Sequence, residues 1–167
     1  MKAWNLSENQ NVEVHSLFNG AWKMTDTATL KTLADTTFDS VEGYRKAMAK
    51  AESPALKQAL ATRVAAREKT LDALNAELTR AGGQRVAEGT TAGAVHRLWL
   101  SITDAFENGD EAAAERVEEG EDYLKEKFEA ALKQDDLDPQ HRSVIERCFA
   151  EIAEGERFGD MIERRYD

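Results

Sequence analysis

Apolar residues recur at helical spacing through most of the chain, and the breaks in that spacing matter as much as the runs. Leu30, Leu33, Val41, Tyr44 and Met48 fall on one face at intervals of three, four or their multiples. Thr37 takes the intermediate slot, and Phe38 and Glu42 flank the stripe. This predicts a helix starting at Thr25 or Asp26, either of which can cap, and ending near Ala51. Ser53-Pro54 then reads as a new start, with serine at the cap and proline in the first turn. The second predicted helix runs from Pro54 to about Ala81 on Leu56, Leu60, Val64, Leu71, Leu74 and Leu78, and Gly82-Gly83 stops it. Its slot between Val64 and Leu71 falls on Arg67 and Glu68, a polar break in mid-helix.

A loop over 84–91 leads to a shorter helix, capped by Thr90 or Thr91 and reaching about Glu107, with Ala94, Val95, Leu98, Trp99, Ile102 and Phe106 apolar. At about 1.5 Å per residue it is long enough to carry the chain from one end of a bundle toward the other. Asn108-Gly109 ends it, and Asp110 is expected to cap the next helix, which runs to about Lys133. There Ala113 or Ala114, Val117, Leu124, Phe128, Ala131 and Leu132 form the stripe, and Gly120 and Glu121 stand where an apolar member is due. Asp138-Pro139 repeats the cap-plus-proline start for a last helix to about Arg165, striped by Ile145, Cys148, Phe149, Ile152, Gly159 and Ile162 and broken at Gly155 and Glu156. Residues 1–24 show no helical period. With Val12, Val14, Leu17, Phe18 and Trp22 apolar and Asn19-Gly20 as a turn signal, they read as a short hairpin or, preferably, as an irregular arm that docks its aromatics on the bundle, with Trp4 and Trp22 as anchors. The expected domains are therefore a 1–24 arm and a 25–167 bundle. Two short turns and one long middle connection give an all-α, ferritin-like four-helix bundle with an extra crossover helix between its second and third long helices. A five-helix bundle of other topology is the alternative.

Composition narrows the function. Two prolines, ten glycines and an abundance of Ala, Glu, Lys, Leu and Arg favour helix. The net charge of −10, from 32 acidic against 22 basic residues, argues against a nucleic-acid binder or an anionic membrane surface. The lone Cys148 allows no intramolecular disulfide and reads as a small buried hydrophobe. Met1–Leu6 lacks the apolar core of a secretory signal and no run approaches a membrane span, so a soluble cytoplasmic protein is expected. No nucleophile with a base stands out, and Gly82-Gly83 follows a helix rather than a strand, so it is no phosphate loop.

Gly93-Ala94-Val95-His96-Arg97-Leu98-Trp99, Glu119-Gly120-Glu121-Asp122 and Val144-Ile145-Glu146-Arg147 together resemble a bacterial family of small four-helix-bundle proteins known only as a domain of unknown function. That family is grouped with the ferritin-like bundles. The resemblance covers about residues 26–165 and leaves the arm outside. It implies the fold, a bacterial origin and a link to stress responses, and it implies no reaction.

The densest acidic run, Glu115 to Asp122, sits at the break of its helix. A carboxylate on an inward stripe is either an edge group in water or part of a buried layer that needs a cation, an arginine or a proton. Ferritin-like di-iron proteins take a Glu from each of two helices and Glu-x-x-His from each of the other two. None of His15, His96 and His141 follows a Glu by three in mid-helix, so that pattern is absent. A carboxylate-only site for iron or another divalent metal would draw on Glu42, Glu68, Glu118, Glu121, Glu151, Glu154 and Glu156, with Asp122 an alternative to Glu121. Counting from the turns, Glu121 lies level with about Glu151 and Glu118 with Glu154, whereas Glu42 lies level with Arg63 and Glu68 with Thr37. Arg63 or Arg67 could then neutralise inward carboxylates without metal, and a solvated face is the simplest reading of the run. The function expected is a non-enzymatic structural or protein-interaction role, with self-association or a protein partner. The alternative is a metal-binding bundle with iron-handling or oxidase activity.

Overall fold

The computed structural model describes the backbone of residues 7–89 and 94–167, and the side chains of 27–89, 96–101, 104–105 and 107–167. Among them the chain is helical and contains no strand. Helix α1 is Ser7–Lys50, α2 Pro54–Arg80, α3 Ala94–Ala105, α4 Asp110–Leu132 and α5 Pro139–Tyr166, with a 3-10 turn at Phe106–Asn108.

The starts of α2 and α5 follow from local chemistry. Ser53 Oγ accepts from Leu56 N at 3.3 Å with Pro54 behind it, and Asp138 accepts from Gln140 N at 2.7 Å with Pro139 behind it. Each cap satisfies an amide that the first turn leaves without a partner. At the end of α2, Gly82 takes φ +88, which glycine adopts without steric cost, and Gly83 N donates to Leu78 O at 2.9 Å.

Two expectations are corrected. Residues 7–24 are not an irregular arm, because α1 is continuous from Ser7. A helix satisfies its own backbone groups without an apolar stripe, and the single Gly20 costs only about 1 kcal/mol. The proposed docking of Trp4 and Trp22 and the place of His15 lie outside the described residues. The short helix ends near the expected Glu107, as α-helix to Ala105 and a 3-10 turn over Phe106–Asn108; its expected caps Thr90 and Thr91 lie outside the described residues. Gly109, not Asp110, occupies the cap position of α4. Asp110 instead accepts from the backbone of Glu52 at 3.2 Å and Ser53 at 2.9 Å, pinning the start of α4 to the α1–α2 turn.

The long helices pack as α1 on α2, α2 on α5, α5 on α4 and α4 on α1, and α3 lies against α1 and α4. The apolar interior divides in two. One cluster gathers Leu30, Leu33, Leu74, Leu78, Phe128 and Ile145, and the other Tyr44, Leu60, Trp99, Val117 and Ile162. Trp99 holds α3 in place. A Cβ on Gly43 of α1 would stand 2.5 Å from Trp99 Cε3, and one on Gly120 of α4 would stand 3.0 Å from its Cη2. The ring thus fills a slot that exists because both helices lack a side chain there.

Candidate functional site

Between the two apolar clusters each long helix offers a polar or empty position: Ser40 on α1, Arg67 on α2, Glu121 on α4 and Gly155 on α5. The breaks in the stripes of α2, α4 and α5 therefore meet at one level. Arg67 and Glu121 are both fully buried. Arg67 Nη2 donates to Glu121 Oε1 at 2.9 Å and to Oε2 at 2.8 Å. Arg67 Nε donates to Glu151 Oε2 at 2.9 Å, and Nη1 donates to Ser40 Oγ at 3.0 Å. Tyr44 donates its hydroxyl to Glu121, Thr70 donates to Glu151 at 2.9 Å, and Arg63 also pairs with Glu151. A Cβ on Gly155 would come within 2.5 Å of Arg67 Nη2, so glycine on α5 is what admits the guanidinium.

Burial works against the charge on Arg67, but Glu121 and Glu151 outweigh it and leave the guanidinium held above its ordinary range. The Tyr44 phenol is raised well above its ordinary value, first by burial and then by the Glu121 charge. It stays a neutral donor. Two carboxylates thus share one buried cation, with hydroxyls closing the remaining acceptor positions.

The other candidate ligands lie elsewhere. Glu42 and Glu68 both pair with Arg45 on the outside of α1 and α2 and are not directed to the interior. Glu154 is exposed, 3.9 Å from Arg63, and Glu156 pairs with Lys125 at 2.8 Å. Glu118 shares a hydrogen bond with Asp122 near Asp160 and Glu163. Burial, then the Asp122 and Glu163 charges, push its carboxyl up to about 7. Of the seven candidates, Glu121 and Glu151 come together inside the bundle with Arg67 between them, and Glu42 and Glu68 meet on the outside at Arg45. Among the described residues no three His, Cys, Asp or Glu side chains gather in a cation cage. The donor set does not fit a di-iron centre, since its two inward carboxylates are already engaged by a guanidinium.

Outside this layer, His141 Nδ1 lies 2.6 Å from Glu77, which Arg80 also holds. His96 lines a cleft of about 240 Å³ with Asp39, Lys46 and Trp99. Cys148 is buried, and desolvation followed by the Glu151 charge raises its thiol to about 11, far from a reactive thiolate. The sequence reading passed over Tyr44, Ser40 and Thr70 as members of the layer. The available signal was that a tyrosine on a buried stripe needs a partner for its hydroxyl.

The model of a family described as "Domain of unknown function (DUF2383)" matches residues 26–134, a span that includes Tyr44, Arg67, Trp99 and Glu121 but not α5. No curated protein matches the chain, and no solved structure does.

Proposed function

The chain belongs to the domain-of-unknown-function family DUF2383, and on that premise we propose that it is a ferritin-like four-helix bundle whose role is structural or protein-binding rather than catalytic. The bundle type is supported by short α1–α2 and α4–α5 turns, one long α2–α4 connection, and the seating of α3 between α1 and α4. The observation that carries the non-catalytic reading is the Arg67 guanidinium between Glu121 and Glu151. It supplies inside the bundle the positive charge that a metal would supply in a di-iron protein of this fold, and it engages both carboxylates. A bacterial, stress-associated setting rests on the resemblance. Among the described residues no helix is long and apolar enough to cross a membrane.

The test is elemental analysis of protein purified without a metal-affinity tag, followed by an aerobic Fe(II) titration watched for oxo-bridged absorbance. The expected result is no stoichiometric metal and no oxidation above buffer. One to two irons per chain, roughly the load of a carboxylate-bridged site and lost in Glu121→Ala, would overturn the reading in favour of the iron-handling alternative.

A further inference from the structure

Between α2 and α5 runs a surface groove of about 320 Å³. Its floor is made largely of small and apolar groups, among them Ala66, Ala73, Val144 and Cys148; Glu151 also lines it but is already paired with Arg63 and Arg67, which leaves Lys69 on α2 and Arg147 on α5 as its unpaired charges. On each helix these residues recur at intervals of three and four, so each contributes one continuous face. Lys69 and Arg147 are exposed, and neither forms an ion pair with another described residue. In a chain of net charge −10 this is a cation-edged groove on an acidic molecule.

The molecule also carries the complementary surface. Along the other side of α5, Glu118 and Asp122 of α4 face Asp160 and Glu163 of α5. The helices approach closely there, since a Cβ on Gly159 would lie 3.0 Å from Glu118 Cα. Arg164 reaches Asp160 at 3.2 Å, whereas Glu118, Asp122 and Glu163 form no direct ion pair among the described residues, and Lys125, bonded to Glu156, feels the Asp122 charge only at longer range. Burial first, and then the Asp122 and Glu163 charges, raise the Glu118 carboxyl to about 7. Cations from outside would relieve the crowding.

We propose that the α2–α5 groove is a docking face for a second copy of this chain, which enters with its acidic α4–α5 edge. Charge complementarity selects this occupant. A two-fold pairing of groove on groove would set Lys69 and Arg147 against their own copies, and edge on edge would set carboxylates against carboxylates; both are repulsive. Groove on edge places opposite charges together. Such a contact is heterologous, and the groove lies toward the start of α5 while the edge lies toward its end. One molecule can use both at once, so the assembly grows into a ring or an open chain. This inference deepens the protein-binding reading and rests on it.

The test is sedimentation of the full chain over a concentration series at low and high salt, with two charge-reversal variants. One variant carries Lys69→Glu and Arg147→Glu, the other Glu118→Lys and Asp122→Lys; circular dichroism checks that each is folded. The wild type should self-associate, and less so at high salt. Each variant alone should be monomeric, and an equimolar mixture of the two should associate again, because each then offers the other an opposite charge. A monomeric wild type at low salt, association that survives either reversal, or a mixture that stays monomeric would each overturn the proposal. These outcomes say nothing about metal, so they fail separately from the non-catalytic reading, which the iron titration decides.

Discussion

At the scale of single residues, two inward-leaning carboxylates on one helix meet opposite fates. Glu121 is buried against Arg67 and Tyr44, while Glu118, one turn earlier, finds only other carboxylates and holds a proton up to about 7. The consequence for stability has a definite sign. An unfolded glutamate titrates near 4.5, so between about 4.5 and 7 the folded state binds the extra proton. The stability that Glu118 contributes is full below its unfolded value and is lost as pH rises to about 7. Glu77 behaves oppositely: Arg80, against some burial and with His141 adding to it, holds its carboxyl below the ordinary value, so its contribution is present at neutral pH and disappears in acid. Glu118→Gln should therefore leave stability nearly unchanged at pH 5 and raise it by about 1 kcal/mol at pH 8, after allowance for solvent screening. Urea melts of both proteins at the two pH values check this; an equal gain at both would show that the crowding is not electrostatic. The break in the α4 stripe already pointed to Glu121 as inward; what spacing left open was its partner, whether water, a metal or an arginine, because that is set by how α2 packs against α4 and α5 and not by the phase of one helix.

At the scale of elements, helix limits were readable wherever a residue type carried its own backbone chemistry. Ser53-Pro54, Gly82-Gly83 and Asp138-Pro139 marked boundaries because serine, glycine, aspartate and proline act on the chain locally. The start of α1 was not readable, because helix can continue through residues without periodicity when nothing forbids it. The seating of α3 was also hidden. Gly120 looked like a loss from its stripe and Gly43 carried no signal, and only the assembled structure shows them as two sides of a slot for Trp99. Tyr44 stacks on that ring at 5.4 Å between centroids, so Trp99 also borders the polar layer through Tyr44. Trp99→Ala should empty the slot and cost about 3–5 kcal/mol, in the range of large-to-small core changes. Because Trp99 is the buried α3 side chain seated between α1 and α4, the α3 amides should exchange with solvent far faster in this variant while those of α2 and α5 keep their order of protection. Hydrogen exchange followed by mass spectrometry measures it, and uniform deprotection of all five helices would instead mean that α3 unfolds only with the whole.

At the scale of the whole molecule, two apolar clusters are joined through a charged layer, an arrangement that costs desolvation without adding much net stability. Replacing only Arg67 leaves Glu121 buried without its cation, and Arg67→Met should lose about 3–5 kcal/mol. Replacing the group together removes that penalty. In Tyr44→Phe with Arg67→Met and Glu121→Leu, the buried charge and its hydroxyl donor are gone, while Glu151 keeps Arg63. This triple variant should recover the stability lost by the single change and match or exceed the wild type by about 1–4 kcal/mol in denaturant melts. What the layer supplies is then alignment. With Leu at 121 the α4 stripe becomes continuous from Val117 to Leu124, and nothing polar penalises a slip of α4 by one turn against α2. The wild type cannot slip without pulling Glu121 away from Arg67 and Tyr44. The triple variant should therefore bind a hydrophobic dye and show a less dispersed amide NMR spectrum despite its higher melting point. A variant equally stable and equally well ordered would mean that the apolar faces and the Trp99 slot set the alignment by themselves, and that the ion layer is retained for another reason.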